Sequence, residues 1–225
     1  MLTFHNIAKG SNHMVKFLHI ATGLRVEFPA FITEFNDRIS VEWGTESIFG
    51  RMDPIKNYRG TTRSISLGFD VLAPSLEMAR ENMINYSRLV QMMYPVYSQP
   101  LGMRTTQGRV IKSPPLIRLQ FLNLVNSVST ENSDQGLMGC ISGFQFAPDR
   151  NAGFFDVEEE LFPKSFNISF QFDPQHEGEL GFEGNEFLSV NFPYGTEQQQ
   201  QQQPQQASNN PEVNSRRQSD ILGGS

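Results

Sequence analysis

The sequence is poor in cysteine and in charge, and each shortage excludes a class of protein. A single cysteine, Cys140, among 225 residues excludes an internal disulfide and a cysteine-rich zinc site. Charged residues make up only 19%, and acidic residues outnumber basic ones by 24 to 18. Because nucleic-acid binding depends on Lys and Arg contacts to phosphates, a net charge of −6 argues against sequence-specific nucleic-acid binding.

Targeting and membrane-spanning patterns are also missing from the sequence. The first residues lack the basic stretch and long apolar run that mark a secretory signal. The longest uncharged stretch before the C-terminal region, residues 89–103, contains two prolines and is shorter than the ~20 apolar residues of a membrane span. We therefore expect no membrane span and assembly in the cytoplasm.

Catalytic and metal-binding patterns are equally scarce. None of the four histidines lies at metal-ligand spacing from another, and His176 with Asp173 and Glu177 is interpreted as a solvated loop. The adjacent carboxylates of residues 158–160 do not suit glycoside hydrolysis, which needs two carboxylates on opposite sides of a bond. The common nucleophile, phosphate-binding and dinucleotide-binding motifs do not occur. The sequence predicts no enzyme, no cofactor and no metal site.

Phenylalanine, by contrast, is abundant, and apolar residues alternate with polar ones in many segments. Eleven of the 19 phenylalanines lie between Phe144 and Phe192. The alternation is typical of antiparallel strands that bury one face. It predicts strands at residues 14–20, 25–33, 38–43, 64–71, 117–121, 137–146 and 165–172. We expect each apolar face, including that of Ile39, Val41 and Trp43, to pack into the core.

One helix is predicted at residues 74–94. Pro74 suits a first helical turn, Glu77 favours the N-terminal end of the helix dipole, and Pro95 ends the helix. Apolar residues recur at spacings of three and four on one face, which we expect to pack on the sheet: Leu76, Ala79, Met83, Tyr86, Val90 and Met93. The predicted fold class is α+β and β-rich, an antiparallel β-barrel or sandwich with one long packed helix.

The composition changes abruptly after Thr196. Residues 197–225 contain nine glutamines and no aromatic residue, so they cannot bury enough apolar surface to offset the entropy of ordering. We predict a single β-rich domain at 1–196 and a disordered, Gln-rich tail at 197–225. Docking through Ile221 and Leu222 is the alternative role for the tail.

Four charged residues in the segment 49–63 form the candidate site: Arg51, Asp53, Arg59 and Arg63. In one interpretation, Arg51 and Asp53 pair locally and Asp53-Pro54 makes a turn. In the other, these residues form a subunit interface, because Arg suits interfacial carboxylates. The composition alone leaves both open.

The segment Phe-Gly-Arg-Met-Asp-Pro-Ile at 49–55, followed by Arg-Ser-Ile-Ser-Leu at 63–67, resembles virion structural proteins of contractile-tailed bacteriophages. The likeness is to the group that contains tail-tube proteins and the baseplate proteins that initiate tube assembly, and it covers about residues 26–182. At Gly178 and Phe182 the sequence departs from the family pattern, which weakens any role for His176.

The resemblance implies a tail-tube-like fold, self-association into a ring in the virion, other tail and baseplate proteins as partners, and no catalysis. A non-catalytic carbohydrate-binding β-sandwich is the main alternative. It would expose a platform of aromatic side chains, for which one Trp and five Tyr offer few candidates.

Overall fold

The structure is a computed structural model that describes residues 13–98, 110–127, 136–189 and 192–194. Its elements are β1 (Met14–His19), β2 (Arg25–Pro29), β3 (Phe31–Glu46), β4 (Ile55–Leu72), α1 (Leu76–Met92), β5 (Val96–Tyr97), β6 (Ile111–Ser113), β7 (Ile117–Gln120), β8 (Leu137–Pro148), β9 (Phe154–Val157), β10 (Glu160–Pro163), β11 (Ser165–Pro174), β12 (Phe182–Glu183) and β13 (Glu186–Phe187). The predicted tail, 197–225, lies outside the described residues, so the division into two regions stays a prediction.

Seven of these strands form one antiparallel sheet in the order β2-β1-β7-β8-β11-β4-β3. The other strands form three two-stranded sheets, β9 with β10, β12 with β13, and β5 with β6. Because β2 and β3 are the edges of the seven-stranded sheet, the sheet is not closed into a barrel. The α+β, β-rich class is confirmed, with a large antiparallel sheet and one long helix.

The core lies on one face of this sheet and is rich in phenylalanine. In β4 and β11 the alternating apolar residues are all buried: Ile65, Leu67, Phe69, Val71, Phe166, Ile168, Phe170 and Phe172. Four strands separate β2 from β4 in the sheet order, yet the rings of Phe28 and Phe69 lie 6.1 Å apart. The sheet therefore curls over its own apolar face, at a spacing typical of packed aromatic rings.

The helix α1 packs on the sheet through a face somewhat different from the predicted one. Its N-terminal cap is Ser75, whose hydroxyl accepts a hydrogen bond from the Met78 N–H. The fully buried residues of the helix are Ala79, Asn82, Leu89 and Met92. Of the residues predicted to pack on the sheet, Tyr86 stacks on Phe146 with ring centroids 4.3 Å apart, whereas Val90 is only half-buried. The contact with the sheet is turned toward Asn82 and Leu89, a rotation that apolar spacing does not determine.

Two strand predictions were wrong in the first half of the chain. The predicted strand 25–33 is interrupted at Ala30, and β3 then continues without a break from Phe31 to Glu46. Its partner β4 begins at Ile55, so residues 55–63, which lay outside the predicted strands, belong to an 18-residue strand. The face of Ile39, Val41 and Trp43 does not pack in the core, because these side chains are 52%, 48% and 55% exposed.

Among the described residues, α1 is the one helix, and it is not long and apolar enough to span a membrane.

Candidate functional site

The candidate site is the outer part of the β3–β4 hairpin, residues 38–62, which we call the arm. The strands β3 and β4 pair from Phe31 and Asp70 to Glu46 and Ile55. On the other side of β4, β11 pairs only as far as Ile65. Beyond that point the arm is a two-stranded ribbon without a third strand from the described part of the chain. It projects about 30 Å past the sheet, at ~3.3 Å per residue from Asp37 to Glu46.

One face of the arm carries an exposed apolar stripe, formed by Ile39, Val41, Trp43 and Tyr58. Residues directly opposite in an antiparallel pair share a face, and Ile39 stands opposite Arg63, which is on the core side of β4. The apolar face of the arm is thus the continuation of the core face. The Trp43 and Tyr58 rings meet edge to face at 5.7 Å, and the four side chains are between 48% and 59% exposed.

The base of the arm is closed by a buried ion pair between Arg63 and Asp37. Their side chains are 4% and 6% exposed, and Nη2 of Arg63 lies 2.6 Å from Oδ2 of Asp37. Nε of Arg63 also donates to both carboxylate oxygens, at 3.0 and 3.1 Å. The hydroxyl of Tyr194 donates to Oδ2 of Asp37 at 2.8 Å, and the Arg63 guanidinium lies over the Phe192 ring at 5.2 Å. Residues 192–194 thus cover the pair.

The charges at this base are set by their mutual contacts. Burial by itself raises the pKa of Asp37, but hydrogen bonds from Arg63 and Tyr194 and the charge of Arg63 bring that pKa below its usual value. Burial and the Arg63 charge lower the pKa of His176, against a smaller opposite effect of Asp37. Burial and the hydrogen bond to Asp37 raise the pKa of Tyr194, so that its phenol remains a donor. At neutral pH the base holds one ion pair beside a neutral His176.

The predicted site residues occupy three different places. Arg51 and Asp53 are exposed in the turn of the hairpin, and no ion pair joins them in the described chain. Arg59 lies over Gly44, on the face of the arm opposite Trp43. A Cβ added to Gly44 would come within 2.9 Å of Nε of Arg59. Arg63 is 8% exposed and is engaged within the fold by Asp37. A subunit-interface role for these four residues stays a prediction, and for Arg63 the structure gives a role in the fold.

Sequence reasoning missed Asp37, Phe192 and Tyr194. A signal for Asp37 was present, because it stands between Phe35 and Ile39 at a position of the apolar face. A carboxylate there needs a partner, since burying an unpaired charge is costly. Nothing local to residues 192–194 indicates that they reach the hairpin.

The turn at the end of the arm, residues 48–53, is here called the tip. The Arg51 N–H donates to the Ile48 carbonyl at 3.2 Å, and Gly50 has a φ of +80°, which favours glycine. This turn places Phe49 and Met52 in solvent, 105% and 95% exposed. Together the two side chains form an exposed apolar patch at the end of the arm, and such patches mark candidate contact surfaces.

The residues of the weakest sequence candidate, around His176, are occupied in other contacts. Glu177 forms an ion pair with Arg118, with 2.7 Å between Nη1 and Oε2, and this contact lowers the pKa of Glu177. Asp173 accepts a hydrogen bond from Gln171 at 3.1 Å. No group of three or more metal-ligating side chains occurs in the ranges that the structure describes.

No protein-family model matches the sequence, and no curated protein does. Among solved structures, the chain is similar to the Dit (gp 19.1) protein of phage SPP1, described as a paradigm of the hub adsorption apparatus in phages that infect Gram-positive bacteria. That likeness has a TM-score of 0.37 and 11% identity, over 72% of this chain and 49% of the other. The chain thus matches about half the length of the Dit protein.

A second similar structure is the baseplate of the anti-feeding prophage, with a TM-score of 0.29 and 9% identity, over 72% of this chain and 87% of the other. The first similar structure is described as a hub protein of phages and the second as a baseplate.

Proposed function

We propose that this protein is a non-catalytic structural component of a bacteriophage tail, acting in the virion by self-association and by binding other tail or baseplate proteins. A baseplate hub, a tube initiator and a tail-tube ring are the three positions consistent with the sequence resemblance. The observation that carries the proposal is the arm, whose apolar stripe continues the core face without a covering layer from the described residues.

Elementary energetics favour a covering partner. A two-stranded hairpin is only marginally stable in water by itself. Full burial of one large apolar side chain contributes about 1.5–3 kcal/mol. Because the four side chains of the stripe are already about half-buried, covering them offers roughly 3–6 kcal/mol before the cost of association. Association costs about 4–15 kcal/mol, so a single contact is weak, whereas a ring in which each copy makes two contacts is more stable.

The backbone of the arm offers a second attachment. The strand β3 is an edge of the sheet over 16 residues, and an edge strand presents unpaired N–H and C=O groups to any added strand. Its solvent face carries charged residues such as Glu34 and Arg38. A neighbouring copy that adds a strand here extends the sheet at the side of the apolar stripe.

The test is the assembly state of the purified protein, alone and with tail proteins, by light scattering and negative-stain microscopy. We expect rings or incorporation into tail particles. Val41→Lys and Trp43→Lys should abolish assembly and leave the melting temperature unchanged, because both side chains are already half-exposed in the single chain. The matched control is Ile84→Lys on α1, at 53% exposure. A protein that stays monomeric under all these conditions contradicts the proposal.

Carbohydrate binding remains a second candidate because Trp43 and Tyr58 are adjacent and exposed. A sugar ring stacks on a flat aromatic face, whereas these rings stand at 72° to each other and do not form a continuous platform. Trp43 is the single tryptophan, so its fluorescence reports on this site alone. A saturable change with an oligosaccharide, in a protein that does not assemble, would favour the binding module.

A further inference from the structure

The strands that form the arm have an apolar cavity beside their other end. The cavity has a volume of about 310 Å³ and is lined mainly by apolar side chains, among them Pro29, Phe31, Leu72, Pro74 and Ala152. Phe31 is the first residue of β3 and Leu72 is the last residue of β4. Leu72 is 42% exposed, so the cavity opens to the surface.

The tip of the arm presents the kind of group that this cavity accepts. Phe49 is at the corner of the Ile48–Arg51 turn and Met52 follows it, both almost fully exposed. Apolar cavities of about 150 Å³ bind a benzene ring. A cavity of about 310 Å³ therefore has room for the ring of Phe49 and part of a second side chain such as Met52.

The tip cannot reach the cavity of its own chain. From Phe31 to Glu46, β3 runs for 15 residue steps, about 50 Å at ~3.3 Å per residue. The tip lies beyond one end of this ladder, and the cavity lies beside the other end. A tip that enters such a cavity must come from another copy.

The charges agree with this pairing. Lys164 lines the cavity, and its ammonium lies over the Phe155 ring at 5.2 Å. Asp53 is next to Met52 at the tip. The ion pairs of the described residues are Arg63 with Asp37 and Arg118 with Glu177, so neither Lys164 nor Asp53 is committed to one there.

We propose that the tip of one copy inserts Phe49 into the apolar cavity beside Phe31 and Leu72 of the next copy. The contact joins two different surfaces, so it is heterologous, and repetition closes a ring or builds a filament. The inference rests on the self-association proposed above and names the two surfaces that meet.

The direct test is cross-linking between two populations of the full chain, both carrying Cys140→Ser to remove the native thiol. One population carries Met52→Cys at the tip and the other carries Ala152→Cys in the cavity wall. After mixing and assembly, a short bis-maleimide should give a cross-linked dimer. The control pairs Met52→Cys with Ile84→Cys, an exposed position on α1, and should give none.

The affinity test uses Phe49→Ala, which should raise the dissociation constant of assembly about 10- to 100-fold, as expected from the loss of one buried aromatic ring. Ile84→Ala should leave it unchanged. Filling the cavity by Ala152→Trp should weaken assembly at an unchanged melting temperature, and Phe49→Leu should restore part of the affinity lost in Phe49→Ala.

The outcomes separate this inference from the proposed function. Normal assembly with no specific cross-link, or with no effect of Phe49→Ala, overturns the tip contact and leaves self-association standing. Absence of assembly by the unmodified protein overturns both.

Discussion

Removing one partner of the buried pair at the base of the arm should destabilise the fold strongly, whereas removing both should not. The perturbation is Asp37→Leu, Arg63→Met and the double variant. In Asp37→Leu, the Arg63 guanidinium loses three hydrogen bonds and keeps its charge in a place where its side chain is 4% exposed. The Tyr194 hydroxyl loses its acceptor as well.

The magnitude follows from the burial of the pair. Breaking a buried ion pair by removing one partner costs about 3–5 kcal/mol, and replacing both partners with apolar residues is often neutral. We expect about 3 kcal/mol for each single variant and about 0–1 kcal/mol for the double variant, since the pair lies at the margin of the core. Domains of this kind have about 5–15 kcal/mol of stability, so the single variants should still fold.

The assay is urea unfolding of the dilute protein, followed by tryptophan fluorescence and circular dichroism, in a double-mutant cycle. The matched control is Glu177→Gln, which removes the partner of Arg118 from a pair whose Glu177 side chain is 27% exposed. That change should cost about 1 kcal/mol or less. If Asp37→Leu costs no more than the control, the assignment of Arg63 to the fold is refuted and its predicted interface role regains weight.

Three further predictions concern the tail, acidity and one close contact. Truncation after Thr196 should leave the melting temperature nearly unchanged, because the removed residues contain no aromatic side chain; sharp, dispersed NMR resonances from the tail would contradict its disorder. The pKa values of Asp37 and Glu177 are lower in the folded than in the unfolded protein. The stability that these carboxylates contribute is therefore present above the unfolded-state pKa of ~4 and should be lost as the pH falls through their lower folded-state pKa values. Urea midpoints that do not fall on acidification would disagree. Gly139→Ala should lower the unfolding free energy by about 1–3 kcal/mol, because its Cβ would come within 2.5 Å of the Asp173 carbonyl, whereas Gly60→Ala, with open space around it, should be nearly neutral.

The alternation of apolar and polar residues predicted the central strands well. In β4 and β11 the predicted apolar faces are the buried ones, because side-chain direction in a strand follows directly from residue parity. The helix was predicted to within two residues at each end by Pro74, Pro95 and the apolar spacing. The face through which it packs was not, since its neighbours come from distant strands.

The charged residues of the candidate site were grouped by proximity in sequence, and the hairpin separates them. Arg51 and Asp53 stand at the tip, and Arg63 lies at the base, beyond the arm. The partners of Arg63 come from residue 37 and residues 192–194. Contacts over such sequence separations depend on how the sheet curls and where the chain returns, which no local pattern encodes.

Ile65 and Ile39 show the division between sequence and tertiary structure most clearly. Both stand in alternating segments and both lie on the same face of the hairpin, so the sequence by itself determined that each is on the apolar side of a strand. Ile65 is fully buried and Ile39 is 52% exposed. Residue parity determines the side of a strand on which a residue lies, whereas burial depends on what covers that side. The curled sheet covers Ile65 but does not extend over Ile39. Only the tertiary structure decided where that cover ends.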